Sequence, residues 1–171
     1  MVLARIENLP SLKFGYLAIL LLVMIDLASK FLAEYYLGFG ERINLIPFLD
    51  LLLVFNSGIA FSMLDFNNSF TSYGLLVLGI VLVVYLHSML RIEKILLNSW
   101  ALILILSGAI GNLIDRSIDG VVTDFLYFYI RDISFFIFNL ADAFISIGAI
   151  LFFGSSSLPS LCLNGQMVLW D

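Results

Sequence analysis

Cysteine and histidine are almost missing from this chain of 171 residues, which contains one of each. The single cysteine, Cys162, cannot form an internal disulfide. The single histidine, His87, excludes an HExxH zinc site and provides no Ser-His pair near the acidic residues described below. Ser29 and Lys30 are sequence neighbours that point to different helix faces, which weakens a Ser-Lys arrangement. Carboxylate chemistry without a metal or an organic cofactor is therefore the chemistry that the sequence favours.

Charge is scarce as well, and basic charge most of all. The chain has 8 Lys and Arg against 13 Asp and Glu, so no basic patch indicates nucleic-acid binding. Hydrophobic residues make up 62% and the mean hydropathy is +1.09, whereas soluble domains have about 45–50% apolar residues. The composition predicts a small integral membrane protein, with residues 1–171 forming one membrane domain.

Four apolar stretches are long enough for a membrane helix, which needs about 20 mostly apolar residues. They cover about 14–36, 70–90, 96–114 and 138–156. The segment 43–64 is also apolar on average, but Pro47, Asp50 and the Asn-Ser-Gly sequence at 56–58 interrupt it, and irregular backbone is not tolerated in lipid. We predict short strands at the membrane surface there, within about 40–66, and a loop over 115–137.

The basic residues favour one orientation. The short connection at 91–95 makes the second and third spans an antiparallel hairpin, and Arg91 and Lys94 lie in it. Together with Arg5 and Lys13 they place the connection and the N-terminus on the cytoplasmic side. Three arginines lie on the other side, so the bias is four to three. In this orientation both longer loops face outward.

An acidic stretch within 108–148 stands out against this apolar background. It holds five aspartates, at positions 115, 119, 124, 132 and 142. Asp142 is embedded in an otherwise apolar span, where a carboxylate costs about 2.5–3.5 kcal/mol on insertion scales. An intramembrane carboxylate is a candidate functional group, and the partner of Asp142 becomes the main question. Asp119 and Asp132 are most simply solvated loop charges.

Two other polar groups lie inside or at the end of spans. Asp26 and Lys30 are four residues apart on one helix face, which suits either a structural ion pair or a substrate clamp. Asn112, Asp115 and Arg116 close the third span as GNLIDR. We interpret Asp115 and Arg116 as a polar helix end in which the arginine neutralises the acid and binds loop carbonyls.

Asp124 and Asp142 are eighteen residues apart and flanked by apolar side chains. Each alone suits a loop acid or a helix cap, and Asn139 is itself a plausible N-cap before Asp142. Two carboxylates at one site cannot both ionise easily, so one takes up a proton and leaves an acid and a base around a water. The spacing leaves both interpretations open, a catalytic dyad and two structural acids.

Five motifs of this chain resemble, in order and spacing, the lipoprotein signal peptidase (signal peptidase II) family. They are DLASK at 26–30, NSGIAF at 56–61, GAIGNLIDR at 108–116, VVTDF at 121–125 and FNLAD at 138–142. The resemblance covers about residues 14–154. It implies an all-α integral membrane protein with four transmembrane helices and a small extracytoplasmic β-cradle, lying in the bacterial inner membrane.

The resemblance also implies a function. Such enzymes are aspartic endopeptidases that remove the signal peptide from prolipoproteins just before the diacylglyceryl-modified cysteine. It makes Asp124 and Asp142 the catalytic dyad and Asp115 a support beside Arg116. Asn56, Asn112, Arg116 and Asn139 would line or brace the site, and Asp26 and Lys30 would fix the first span and the cradle. The expected partners are the lipidated substrate and membrane lipid, and we expect a monomer.

Two other classes compete with a peptidase. A proton-coupled transporter or small channel subunit would need ionisable groups through the depth of the bilayer. The second and third spans, 70–90 and 96–114, contain no charged residue, so no path to the cytoplasm is evident. A structural scaffold would tolerate replacement of both acids.

Overall fold

The computed structural model describes residues 12–58 and 69–156 as helices and strands joined by short connections. In chain order the elements are α1 (Leu12–Tyr36), β1 (Arg42–Ile46), β2 (Leu49–Asn56), α2 (Ser69–Ile92), α3 (Leu96–Asp119), β3 (Val122–Ile130), β4 (Ile133–Phe138) and α4 (Leu140–Ser156). The chain is thus mostly helical and carries one small sheet. Arg5, Cys162, the predicted cradle residues 59–66 and the tail beyond 156 lie outside the described residues.

Within the described residues, three helices are long and apolar enough to cross a membrane: α1, α2 and α3. The fourth, α4, is also apolar, but it has only 17 residues. In the apolar part of α3 half of the residues are buried, compared with 28% in α1 and 11% in α2. α3 is therefore the central helix, and its Leu102, Ile103 and Leu106 form a core with Ile19 of α1 and Leu86 of α2.

Small residues bring α3 and α4 into close contact. A Cβ atom added to Gly148 of α4 would lie 2.6 Å from the carbonyl oxygen of Ala101. A Cβ atom at Gly108 of α3 would collide with the carbonyl oxygen of Ala141. Close backbone approach at small residues is how membrane helices gain packing energy. This contact sets the first turn of α4 beside the middle of α3.

The four strands form one antiparallel sheet in the order β1-β2-β3-β4. Each half is a hairpin with a tight turn, and each turn has one residue in the left-handed region, Phe48 (φ 75°) and Arg131 (φ 55°). The sheet thus combines two segments that are far apart in sequence. Its two hairpins are joined where β2 pairs with β3, with Val54 opposite Asp124.

The predicted loop over 115–137 is wrong. α3 continues to Asp119, and Gly120 caps its C-terminal end. The left-handed backbone of Gly120 (φ 90°) allows its N–H to donate to the Arg116 carbonyl. Residues 122–138 then form a hairpin rich in aromatic and β-branched residues, which favour strands. The predicted cradle over 40–66 is therefore only half of the sheet. Asp124 lies on a strand, not in a loop.

Asp50 interrupts an apolar segment because it organises the far end of the sheet. Its side chain is 2% exposed and pairs with the guanidinium of Arg42, with Nε 2.5 Å from Oδ2. Asn44 donates to its other oxygen at 2.8 Å, and Tyr129 donates at 3.3 Å. A buried carboxylate with this many donors keeps its charge and fixes the register of β1, β2 and β3.

Candidate active site

Asp124 lies in β3 with only 4% of its surface exposed. The side-chain amide of Asn56 donates to Oδ2 at 3.0 Å, and that of Asn139 donates to Oδ1 at 2.6 Å. Burial, followed by the charge of Asp142, raises the pKa of Asp124 to about 7, and the two asparagines only partly offset this. The carboxyl can therefore carry a proton near neutral pH.

Asp142 lies in the first turn of α4, where Asn139 caps the helix. The Asp142 N–H donates to Oδ1 of Asn139 at 3.0 Å, and the Asn139 N–H donates back to Oδ2 of Asp142 at 3.3 Å. This reciprocal pair satisfies two free donors of the helix end. The predicted N-cap at Asn139 is confirmed. The remaining oxygen of Asp142 accepts a bond from the side-chain amide of Asn112 at 2.8 Å.

Asn139 joins the two aspartates because it is the one described residue with hydrogen bonds to both of them. It is fully buried, so its orientation is fixed by these contacts. The cap and dyad interpretations are therefore compatible: Asp142 takes part in a helix cap and also lies at the same asparagine as Asp124. The charge of Asp142 acts on Asp124, in agreement with two carboxyls at one site.

A buried lysine lies directly behind this pair. Lys30 is 2% exposed, and its Nζ lies 2.9 Å from Oδ2 of Asp26 and 3.3 Å from Oδ2 of Asp115. It also donates to Oδ1 of Asn112 at 2.8 Å, which orients the amide that Asn112 gives to Asp142. The predicted contact between Asp26 and Lys30 is present. The sequence spacing did not predict that Lys30 is connected to Asp142 through Asn112 of α3.

Asp26 connects the same network to α4. Its Oδ1 accepts the backbone N–H of Ala141 at 2.9 Å, one residue before Asp142. The fully buried carboxylate fits beside Gly111, where an added Cβ atom would collide with Oδ2 of Asp26. Gly111 is thus a site residue that sequence reasoning missed. In the sequence only the glycine itself, within GAIGN, indicated this role. It could not be interpreted without knowing that Asp26 of α1 lies opposite.

Asp115 and Arg116 do not pair with each other, which corrects the prediction. Consecutive helical residues point about 100° apart, so Asp115 faces Lys30 and the N–H of Thr123 (2.8 Å), while Arg116 faces the end of β2. Arg116 donates to the carbonyls of Asn56 and Gly58 at 3.2 and 2.7 Å. Its predicted bonding to loop carbonyls is confirmed, and it supports Asn56 from behind.

The other two aspartates of the acidic stretch lie apart from this site. Asp119 and Asp132 are both exposed, and Asp119 accepts the N–H of Val121 at 3.2 Å just after the end of α3. In the described ranges, 12–58 and 69–156, no group of three or more His, Cys, Asp or Glu side chains is placed to hold a metal ion. The site consists of carboxyls, amides and one lysine.

The helices are suited to a membrane, and buried Asp124 and half-buried Asp142 share one asparagine. These features define a membrane protein with a carboxylate-based site. Comparison with known proteins narrows this class. A family model described as Signal peptidase (SPase) II matches residues 18–158. The chain belongs to the signal peptidase II family, which confirms the resemblance found in its motifs.

Curated relatives and solved structures agree with this assignment. A protein of Bartonella bacilliformis named lipoprotein signal peptidase is 43% identical over 146 residues, covering 84% of this chain and 87% of the relative. One of Brucella ovis with the same name is 41% identical over 131 residues, covering 77% and 81%. A bacterial membrane enzyme solved at 2.3 Å by the in meso method superposes with a TM-score of 0.74 at 28% identity, covering 85% of this chain and 90% of that one.

Proposed function

We propose that this protein is an aspartic endopeptidase that removes the signal peptide from diacylglyceryl-modified prolipoproteins just before the lipidated cysteine. Asp124 and Asp142 are its catalytic dyad. The observation that carries the proposal is Asn139, which donates to both carboxyls, beside a pKa of about 7 for Asp124. The names of the curated relatives support the substrate class.

In the mechanism, Asp124 carries the proton and Asp142 is ionised. Asp142 accepts a proton from a water, whose oxygen attacks the carbonyl carbon preceding the lipidated cysteine. The Asp124 hydroxyl donates to the carbonyl oxygen as it gains charge. Collapse of the tetrahedral intermediate breaks the C–N bond, and the proton taken up by Asp142 goes to the leaving amine. The products are a carboxylate on the signal peptide and a free amine on the lipidated cysteine.

The supporting residues have distinct parts in this proposal. Asn56 and Asn139 hold the carboxyl of Asp124, and Asn112 holds that of Asp142. Lys30 orients Asn112 and pairs with both Asp26 and Asp115, and no metal or organic cofactor takes part. Arg116 fixes the end of β2 through two carbonyls, so that Asn56 stays beside the dyad.

The proposed setting is the bacterial inner membrane, with α4 as the fourth span and the whole chain as one monomeric membrane domain. The sheet and the dyad face the extracytoplasmic side. Water must reach a scissile bond at membrane depth, and a site where the sheet meets α3 and α4 supplies that access. The diacylglyceryl chains of the substrate stay in the lipid between the helices.

The test uses Asp124→Asn and Asp142→Asn, each assayed with a lipidated prolipoprotein in detergent. Asp119→Asn is the matched control, because it changes an exposed aspartate of the same stretch. We expect both dyad variants to fold and to lose turnover by a factor on the order of 10³ or more, while the control retains it, since each acid or base step typically contributes about 10²–10⁴-fold. Substantial turnover by either folded dyad variant would refute the assignment.

A further inference from the structure

The first residues of β3 have a strand neighbour on one side only. Val122, Thr123 and Asp124 pair with Asn56, Phe55 and Val54 of β2. The pairing of β3 with β4 begins two residues later, at Leu126 opposite Phe138. The segment that carries Asp124 therefore lies at the end of the sheet, where half of the usual ladder is missing. Something other than β4 must fix it on that side.

Thr123 supplies that fixation through two bonds to two different helices. Its backbone N–H donates to Oδ2 of Asp115 in α3 at 2.8 Å. Its hydroxyl donates to Oε1 of Glu34 in α1 at 2.5 Å. The threonine is 1% exposed, whereas Glu34 is exposed, so the hydroxyl bond runs from a buried strand residue to a carboxylate at the surface of α1. Neither Glu34 nor the side chain of Thr123 contacts either aspartate of the dyad through a described hydrogen bond.

Because side chains alternate along a strand, the two bonds of Thr123 also determine the direction of the Asp124 side chain. Successive residues of a strand point to opposite faces, so Thr123 directed at α1 requires Asp124 to point away from α1, toward Asn139. A rotation of the strand at Thr123 would move the carboxyl of Asp124 relative to its partner. A bond to a charged carboxylate is stronger than one between neutral groups, which suits Glu34 to this restraint.

Glu34 also completes a row of charged residues on α1. Asp26, Lys30 and Glu34 are spaced four residues apart, so they lie along one face of the helix. Asp26 binds the N–H of Ala141, which precedes Asp142, and Glu34 binds Thr123, which precedes Asp124. One rigid helix thereby holds the residue before each aspartate of the proposed dyad.

We infer that Glu34 and Thr123 are positioning residues that set the orientation of Asp124 relative to Asp142. This inference rests on the proposed function, because it concerns the same dyad. A positioning role differs from a purely structural role in what a substitution changes. A structural bond would change stability alone, whereas a positioning bond changes turnover and the pH dependence of turnover in protein that is still folded.

The experiment compares Thr123→Val, Thr123→Ser, Glu34→Ala and Glu34→Gln as full-length proteins in detergent, with kcat, KM and the pH profile measured on a lipidated prolipoprotein. We expect Thr123→Val and Glu34→Ala to lower kcat about 10- to 100-fold with KM changed less than about twofold, since misplacement by about 1 Å has effects of this size. The upper limb of the pH profile, where Asp124 loses its proton, should move. Thr123→Ser keeps the hydroxyl and Glu34→Gln keeps an acceptor, so both should retain most of the activity.

Ser107→Ala is the matched control. Its hydroxyl is fully buried and donates to the Ile103 carbonyl within α3, away from the dyad, so its removal reports the loss of one buried bond alone. Glu34 is exposed on α1, and alanine is a strong helix former, so Glu34→Ala tests the inference even if Thr123→Val does not fold. If Glu34→Ala has the kcat and the pH profile of the wild type, the inference is overturned. The proposed dyad still stands in that case if Asp124→Asn is inactive in the same assay. Activity of Asp124→Asn would refute the dyad itself.

Discussion

Replacing Lys30 by methionine is the sharpest test of the buried network behind the aspartates. Methionine has nearly the same length and shape as lysine but carries no charge. The change leaves Asp26 and Asp115 buried without the ammonium group that lies 2.9 and 3.3 Å from their oxygens. It also removes the donor to Asn112, whose amide then loses its fixed orientation toward Asp142.

The size of the effect follows from the burial of the pair. Lys30 and Asp26 are 2% and 0% exposed, so neither charge can recover its interaction with water. Breaking a buried ion pair by removing one partner costs about 3–5 kcal/mol, chiefly because a charge stays buried without compensation. For a chain of this length 1 kcal/mol shifts the Tm by about 2–4 °C, so we expect a fall in Tm of about 6–20 °C.

The assay is thermal unfolding in detergent of four proteins: wild type, Lys30→Met, Asp26→Asn and the double variant. Because the double variant removes both charges, we expect it to be less destabilised than the sum of the single changes, by about 1–3 kcal/mol. Lys13→Met is the control, since Lys13 is exposed on the same helix and should change stability by less than about 0.5 kcal/mol. A Tm for Lys30→Met within 2 °C of wild type, or strict additivity in the double variant, would show that the network does not contribute as described.

Two further predictions concern pH and helix packing. The pKa of Asp124, about 7 in the folded protein, lies above the unfolded value of about 4. The folded state therefore binds an extra proton, and stability falls as pH rises from about 4 to about 7 and then levels off. Asp124→Asn should reduce the Tm difference between pH 5 and pH 8, and an unchanged difference would contradict this. Gly148→Ala should destabilise the protein by about 1–3 kcal/mol because its Cβ meets the Ala101 carbonyl at 2.6 Å. Gly154→Ala on the same helix, with nothing within 4 Å, should be neutral or stabilising in the same unfolding assay, and equal effects would refute the packing argument.

Local sequence patterns predicted the parts of this protein that depend on neighbours along the chain. Apolar length placed α1 and α2 to within two residues at their ends. Spacing by four residues predicted the contact of Asp26 with Lys30, and the sequence around Asn139 predicted its cap. Each of these features is set by helix geometry within a few residues.

Contacts between distant segments were not predictable from such patterns. The sheet pairs Val54 with Asp124, seventy positions further along the chain, and no local signal specifies that partner. Asp115 binds Lys30 rather than its neighbour Arg116 because α1 packs against that face of α3. The bond of Thr123 to Glu34 joins residues 89 positions apart. The resemblance of the motifs to a known family grouped Asp124 with Asp142. The hydrogen-bond partners of each aspartate could be identified only from the folded structure.

The row of charges on α1 has a consequence for biogenesis. During synthesis α1 enters the membrane before α3, β3 and α4, so Lys30 and Asp26 at first have only each other within the bilayer. The donors and acceptors that complete the network, on Asn112, Asp115 and Ala141, arrive with later segments. Asn139 and Asp142 are made last, and they complete the contacts with Asp124 and Asn112. A half-inserted chain therefore lacks the contact of Asn139 with Asp124, and the proposed dyad is complete only when the last helix has been inserted.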